Sequence, residues 1–443
     1  IEVSTILTLN AISPLEASGA PVFNNNPYLR LNGRGVLVGI IDTGIDYLNK
    51  EFQREDDTTR IVRIWDQTIQ GNKEIYSLKY GTEYTEDQIN QAIRLQASGG
   101  DPYSIVPSKD DIGHGTRMAG IIGGRGINPD LKGAASDCQF IIVKLSRATK
   151  VELDVAVIDK TDVPSYSPWS ALLALRYIIA VARELKRPVV VFEPLGSNMG
   201  SHTGNGIVEQ SINNYSTQSG TVVVVPTGNQ GNTDTHTEGI IESSGDIKDI
   251  EIRVGEKQKN LPIEIWVNKP NRVKLSIISP SGEMIDNLDS KNANNERIKF
   301  LYEGTEMIVN FTSPELSTGD SHIFIRAYNL KAGIWKFRLT GQYIVEGKYY
   351  AWIPQRELLD SETKFLNSVG YTTLTLSSTS NRAISVAYYN QEDNSVVTES
   401  GRGYTRDKMI KPDIAAGGFN AIVTNPGGGN AVISGASVAG AVV

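Results

Sequence analysis

The chain has 443 residues, 40% of them hydrophobic and 21% charged, an ordinary balance for a globular protein and a length that accommodates two or three domains. A net charge of −7 argues against nucleic acid and anionic membrane surfaces as main partners. The sequence holds no run of 18 apolar residues that would span a membrane, and Cys138, its only cysteine, excludes an internal disulfide.

In chain order, residues 1–34 read as loop, with Pro14, Pro21 and the run NNNP at 24–27. The opening IEVSTILTLN lacks a basic region and a cleavage pattern, so it is not a signal peptide, and the start at Ile1 reads as a processed chain. Residues 35–42, GVLVGIID, form a continuous apolar run bounded by glycines, the pattern of a buried parallel strand. Residues 113–124 read as a helix beginning near His114. FIIVKL (140–145) is a further buried strand, and Cys138 beside it reads as a buried structural thiol. The spacing predicts a helix over 168–186, opened by Pro168, then a strand over 188–196, a helix over 206–218 and a strand over 221–226. Strand–helix alternation of this kind means a parallel α/β sheet.

After about residue 234 the texture changes to short β runs: DIEIRV, IEIWV, RVKLSIISP, EMIVNF, HIFIRAYN, GIWKFRLTG and YYAWIP. Their spacing predicts an antiparallel sandwich or jelly roll. The aromatics Trp266, Trp335, Trp352, Tyr349 and Tyr350 read as its core and cross-strand packing. The α/β pattern returns at AISVAYYN (383–390) and KPDIAAGG (411–418). The expected division is therefore 1–234 for the first part of an α/β domain, 235–380 for an inserted β domain, and 381–443 for the second, truncated part of the α/β domain.

Three Gly-framed segments carry chemistry: GIIDTGID with Asp42, DIGHGTRMAG with His114, and ISGASVAGA with Ser437. They supply a carboxylate, an imidazole and a hydroxyl. A serine hydroxyl is a weak nucleophile that needs a base, and the base needs an orienting acid. Asp42 ends a strand, where α/β proteins place their sites; a turn-capping role fits it equally. Ser437 suits a nucleophile at a helix start, and its segment also fits a buried small-residue helix. Asn229 in PTGNQGN lies at a strand end, where its amide is placed to donate to an oxyanion; an ordinary turn is the alternative. His202, His236 and His322 read as non-catalytic.

These segments resemble the subtilisin family of serine peptidases. The matches are IDTGID, HGTRMAG, TGNQGN, KPDIAAGG and SGASVAGA, in the family's order, and the order Asp–His–Ser is also the family's. The resemblance implies an α/β fold with a parallel sheet flanked by helices, here carrying an inserted antiparallel jelly-roll-like domain. It implies a serine endopeptidase in which Asp42 orients His114, His114 deprotonates Ser437, and Asn229 helps hold the oxyanion. It also implies extended peptide substrates bound by strand pairing along Pro194, Leu195 and Gly196, and a precursor with an N-terminal prodomain. A narrower resemblance, carried by the insert position, WDQT at 65–68 and SGRGYTRDKMIKPDIAAGG, is to the germination-protease (Csp) branch of bacterial subtilases. That branch implies activation of a spore-cortex hydrolase and an extracellular or spore-associated location; a general bacterial subtilase with no germination role is the alternative.

The departures from the family pattern are local. Ala436 stands where the family has Thr, Gly417 stands where Pro is common, and the cleft-wall strand reads Glu193–Pro194–Leu195–Gly196. Glu193 reads as a structural acid, the alternative being a bias of the cleft toward basic residues. No metal ligand set and no cofactor is assigned. Structural calcium at the Asp/Asn clusters 55–57 and 286–295 stays open beside solvated loops. Two other functional classes stay open as well: a non-catalytic pseudoprotease that binds a partner, and a structural protein whose β insert does the work.

Overall fold

Apolar runs of four to six residues without alternation are too short for helices and form strands buried on both faces. A computed structural model describes residues 13–24, 26, 28–29, 31–71, 75–289 and 294–443. The first strands are β1 (Leu37–Asp42), β2 (Ile61–Asp66), β3 (Thr82–Thr85), β4 (Gln139–Lys144), β5 (Val189–Phe192) and β6 (Thr221–Pro226). After a long β excursion come β18 (Ile384–Asn390), β19 (Ser395–Val396) and β20 (Ile414–Gly417). These strands share one sheet in the order β19-β18-β6-β5-β1-β4-β2-β3, with β20 also on β18. Its central pairings are parallel, and β3 and β19 are antiparallel edges. Every residue of β1 is buried.

Helices α3 (Glu86–Ala97), α4 (His114–Gly123), α6 (Pro168–Glu184), α7 (Ile207–Ser216) and α8 (Ala436–Val442) lie against this sheet, whereas the short α5 (Lys150–Val155) buries no residue. The hairpin of β21 (Ala421–Thr424) and β22 (Asn430–Ile433) leads into α8. One apolar core gathers α4 and α8 residues with Val38, Ile40 and Ile142, and another gathers α6 residues with Ile41, Ile141 and Val191. Cys138 is fully buried, as expected for a structural thiol.

Two expectations are corrected. The stretch 1–34 is not all loop: Ser13 and Glu16 form a reciprocal capping box that starts α1 (Pro14–Ser18), and α2 (Ala20–Asn24) follows. Residues 1–12, 25 and 27, which carry IEVSTILTLN and part of NNNP, lie outside the described residues. The strand expected over 188–196 stops at Phe192, because the N–H of Glu193 still reaches Val224 O at 3.1 Å but Pro194 has no N–H to continue the ladder.

The excursion between β6 and β18 contains β7 (His236–Ile240), β8 (Ile247–Val254), β9 (Leu261–Val267), β10 (Arg272–Ile278), β11 (Met284–Leu288), β12 (Asn294–Lys299), β13 (Glu306–Thr312), β14 (Ser321–Tyr328), β15 (Gly333–Tyr343), β16 (Lys348–Trp352) and β17 (Lys364–Phe365). They form two antiparallel sheets, β11-β10-β15-β8-β17 and β12-β13-β14-β9-β16-β7. The inward faces of the two sheets meet in a separate core that includes Ile252, Leu275 and Phe337 from one and Ile265, Val309 and Ile325 from the other. Alternation along β14 and β15 produces this one-sided burial. Entry and exit strands are neighbours, since His236 of β7 pairs with Trp352 of β16.

A buried polar and aromatic contact docks this module on the α/β body. Arg406, 1% exposed, bonds Asp320 at 2.8 Å, Ser201 O at 2.8 Å and Asn268 Oδ1 at 3.0 Å, and lies 4.7 Å over the Trp266 ring. His202 and His236 stack on Trp352 at 4.1 and 4.4 Å. Burial drives the His202 imidazole down to about 4, so it packs as a neutral ring. Trp266, Tyr350 and Trp352 thus face the α/β body, whereas Trp335 and Tyr349 belong to the module's own core. Among the described residues no helix is long and apolar enough to cross a membrane.

Candidate active site

The site is built where β1 ends. Asp42 is its last residue, 3% exposed, and α4 begins with His114 on the neighbouring side of the same crevice. His114 Nδ1 lies 2.9 and 2.8 Å from the two Asp42 carboxylate oxygens. Because a carboxylate only accepts, Nδ1 carries the proton and Nε2 is left as the basic nitrogen. Burial favours the neutral ring, but the charge and hydrogen bond of Asp42 outweigh it and raise the His114 pKa above its usual value.

The pair is held by a residue the sequence reading did not single out. Asp110 Oδ1 accepts from the Thr43 hydroxyl and the Gly113 N–H, each at 2.7 Å. Its Oδ2 accepts from the Thr116 N–H and hydroxyl at 2.8 and 2.7 Å. Thr43 Oγ1 in turn accepts the Gly115 N–H at 2.9 Å. The loop after β1 and the first turn of α4 are therefore tied through one buried carboxylate. An acid shortly before a helix start was the signal available in the sequence, as in any N-terminal cap.

Ser437 lies in the first turn of α8, partly exposed. The helix packs on α4, β6, β18 and β20, so Ser437 and His114 open the first turns of two helices in mutual contact. His114 and Ser437 share no hydrogen bond. Gly435 precedes the helix at φ 152° and ψ 167°, a conformation that is essentially glycine's alone. Asn229, three residues beyond β6, accepts the Ala436 N–H on Oδ1 at 3.0 Å. That bond fixes which amide atom is which, and it leaves Nδ2 as the donor of the side chain. Ala436, where the family has Thr, is 1% exposed and packs in the core with α8.

Pro194, Leu195 and Gly196 continue β5 past its ladder along the same side of the sheet as Asn229. Leu195 packs on the α6-side core, and Gly196 is exposed. Glu193 is 3% exposed, and burial together with the charge of Glu209 pushes its carboxyl up to about 8. It is a buried structural acid, and the alternative of a cleft charge attracting basic residues is set aside, because such a carboxyl is neutral and shielded. His322 stacks on Trp266 at the module's docking face, and none of His202, His236 and His322 approaches Asp42. Among the described residues no three His, Cys, Asp or Glu side chains gather as a metal site. In the 55–57 loop, Asp57 pairs with Lys50 and Asp56 with Thr58; residues 290–293 of the other cluster lie outside the described set.

A parallel sheet of this order, a carboxylate–imidazole pair at the end of β1 and a serine at the start of a helix packed on the imidazole's helix define the subtilisin-like serine peptidase class. The subtilase family model matches residues 33–250 of the chain. It is similar over 96% of its length to the CspB protease of Clostridium perfringens, with 28% identity, 83% of that chain covered and a TM-score of 0.84. It is also similar to the PI-type proteinase of Lactococcus lactis subsp. cremoris, at 24% identity over 245 residues, and to the PII-type proteinase of Lacticaseibacillus paracasei, at 23% over 245 residues. The match covers 52% of this chain but 11% of each of those two proteinases, so the chain spans a small part of their length.

Proposed function

We propose that this chain is a serine endopeptidase that hydrolyses peptide bonds through an acyl-enzyme. The observation that carries the reading is the buried Asp42 carboxylate bonded at 2.8 Å to His114 Nδ1, with Nε2 left free on a helix that packs against the helix of Ser437. In this reading Ser437 Oγ attacks the peptide carbonyl and its proton passes to His114 Nε2. Asp42 stabilises the imidazolium, and Asn229 Nδ2 donates to the oxyanion. His114 then protonates the leaving amine, and water, deprotonated by the same nitrogen, releases the acid and restores the serine. The substrate lies extended, pairing its main chain with Pro194–Gly196.

A finer reading concerns the physiological target. The β module between His114 and Ser437, the buried Trp65 and Asp66 of WDQT, and Arg406 at the module's docking contact support a role like that of the germination branch: activation of a spore-cortex hydrolase by limited cleavage, after loss of an N-terminal prodomain. Fluorophosphonate labelling together with turnover of a chromogenic peptide tests the chemistry. Both are expected in the parent and both are expected to vanish in Ser437→Ala with the fold intact. Absence of labelling in the parent would instead mark a non-catalytic partner-binding protein. Incubation with an inactive cortex-hydrolase precursor tests the target, with a single discrete cleavage as the expected result.

A further inference from the structure

The exit of the β module reaches directly into the cleft wall. Gln355, three residues beyond β16, donates its side-chain amide to the carbonyl of Gly196. It is the cap residue of a short 3-10 turn, Arg356–Leu358, yet its side chain makes no capping bond and extends away from the turn. That turn is anchored at two points. The Arg356 N–H donates to Gln230 Oε1 at 3.0 Å, and Gln230 Nε2 donates back to Glu357 Oε2 at 3.1 Å, one residue from Asn229. On the other side, Lys160 Nζ donates to the Glu357 carbonyl at 3.1 Å. The acceptor is equally fixed. Gly196 sits so close to Thr375 that a Cβ would lie 2.7 Å from its side chain, and the next carbonyl, of Ser197, takes the Leu376 N–H at 2.8 Å. The Gly196 carbonyl and the backbone that carries Gln355 are both held in place.

An extended peptide laid along Pro194–Gly196 reads this wall through alternate main-chain N–H and C=O groups, since strand addition draws its affinity from those bonds. Pro194 offers only its carbonyl. The Gly196 carbonyl, at the far end of the three-residue wall, already holds the Gln355 amide. A substrate that runs past Leu195 must displace that amide or share the carbonyl with it.

We infer that Gln355 is a specificity-determining residue that competes with the substrate main chain at Gly196 and so confines recognition to the few residues next to the scissile bond. The inference rests on the peptidase reading above. It gives the β module a direct part in substrate choice: the module's exit turn sets how much of an extended segment the cleft reads.

The test is a ladder of oligoalanine p-nitroanilides with two to six residues, assayed on the parent, Gln355→Ala and Gln355→Glu. The carboxylate of Gln355→Glu has nearly the volume of the amide but cannot donate. In the parent, kcat/KM is expected to stop rising once the peptide reaches Gly196. In both variants it should continue to rise, by about threefold to tenfold for the longest peptides, the worth of one net hydrogen bond, with the shortest peptides unchanged. Binding of the same oligoalanines, as fluorescent amides, to the Ser437→Ala chain with and without Gln355→Ala gives a readout independent of turnover. Parallel ladders in parent and variants, or an equal loss for short and long peptides, overturn the inference and leave Gln355 as a tether. A chain that is neither labelled nor active fails the peptidase reading, and the binding ladder still decides the role of Gln355.

Discussion

Arg406 of the α/β body and Asp320 of the β module form an ion pair at 2.8 Å in which the arginine side chain is 1% exposed and the aspartate 11%. Burial pulls the guanidinium pKa below its ordinary value and Asp320 offsets part of that, while Ser201 and Asn268 accept its N–H groups and Trp266 covers it. Removing one partner of such a pair leaves an uncompensated buried charge and costs about 3–5 kcal/mol, whereas replacing both by apolar groups is often near neutral. Arg406→Ala should therefore lower the urea midpoint markedly, and Arg406→Met with Asp320→Leu should recover much of it. The fluorescence of Trp266 and Trp352, both at the contact, is the measurement; equal midpoints for the parent and Arg406→Ala would show that the pair does not hold the module.

Asn229 accepts the Ala436 N–H on Oδ1, and in the peptidase reading its Nδ2 donates to the oxyanion. Asn229→Asp keeps an oxygen for the Ala436 N–H and removes the donor, so kcat is expected to fall about 10²–10³-fold while KM and the thermal midpoint change little. Asn229→Ala loses both, adding a stability loss of about 1 kcal/mol. A kcat unchanged in Asn229→Asp would remove the amide from the oxyanion role.

The imidazole sets a pH dependence. In the peptidase reading His114 must be neutral at Nε2 to accept the serine proton; its pKa is raised despite burial because Asp42 stabilises the charged form. Activity should fall as pH drops through a midpoint above that of an ordinary histidine, and Asp42→Asn should lower both the midpoint and kcat. The stability contribution runs the other way: the pair stabilises the fold most below the unfolded-state pKa, and this is lost as pH rises through the folded-state value. A pH–kcat/KM profile, measured with chemistry limiting, and a pH series of thermal midpoints separate the two effects.

Behind the cleft wall, Glu193 and Glu209 are buried and their carboxyls are pushed up to about 8 and about 7, chiefly by burial. A carboxyl raised in the folded state is protonated there when the unfolded chain has already released its proton. Stability is then highest below the ordinary value of 4.5 and is lost as pH rises toward about 8. Glu193→Gln, which cannot ionise, should be more stable than the parent at pH 8, by about 2–4 kcal/mol, and nearly equal to it at pH 5. Denaturant titrations at the two pH values give the comparison.

Much of this was written locally. β1, β4 and β6 are continuous apolar runs, and α6 carries Pro168 at its start, so their limits were readable to within three residues. The Gly-framed motifs marked Asp42, His114, Asn229 and Ser437 because close backbone approach and special turns demand glycine nearby. Asp110 was marked only as an acid before a helix start, since its tie to Thr43 spans 67 positions and no local pattern records such a bond. The end of β5 was misjudged because the apolar run outlasts the ladder that Pro194 interrupts. Glu193 looked ambiguous in sequence because its neighbour Glu209, which helps raise its pKa, is contributed by α7. The Gln355–Gly196 and Arg406–Ser201 bonds likewise span 159 and 205 positions.

The bond between Asn229 and Ala436 bridges 207 positions. During synthesis at about 5–20 residues per second, β6 therefore waits on the order of 10–40 s before α8 is made and can seat against it. Throughout that interval the ribosome-bound chain carries Asp42 and His114 without Ser437. If the peptidase reading holds, neither the nascent polypeptide nor its neighbours meet a working centre until the β module has been made, and the order of the chain itself acts as a delay on the chemistry.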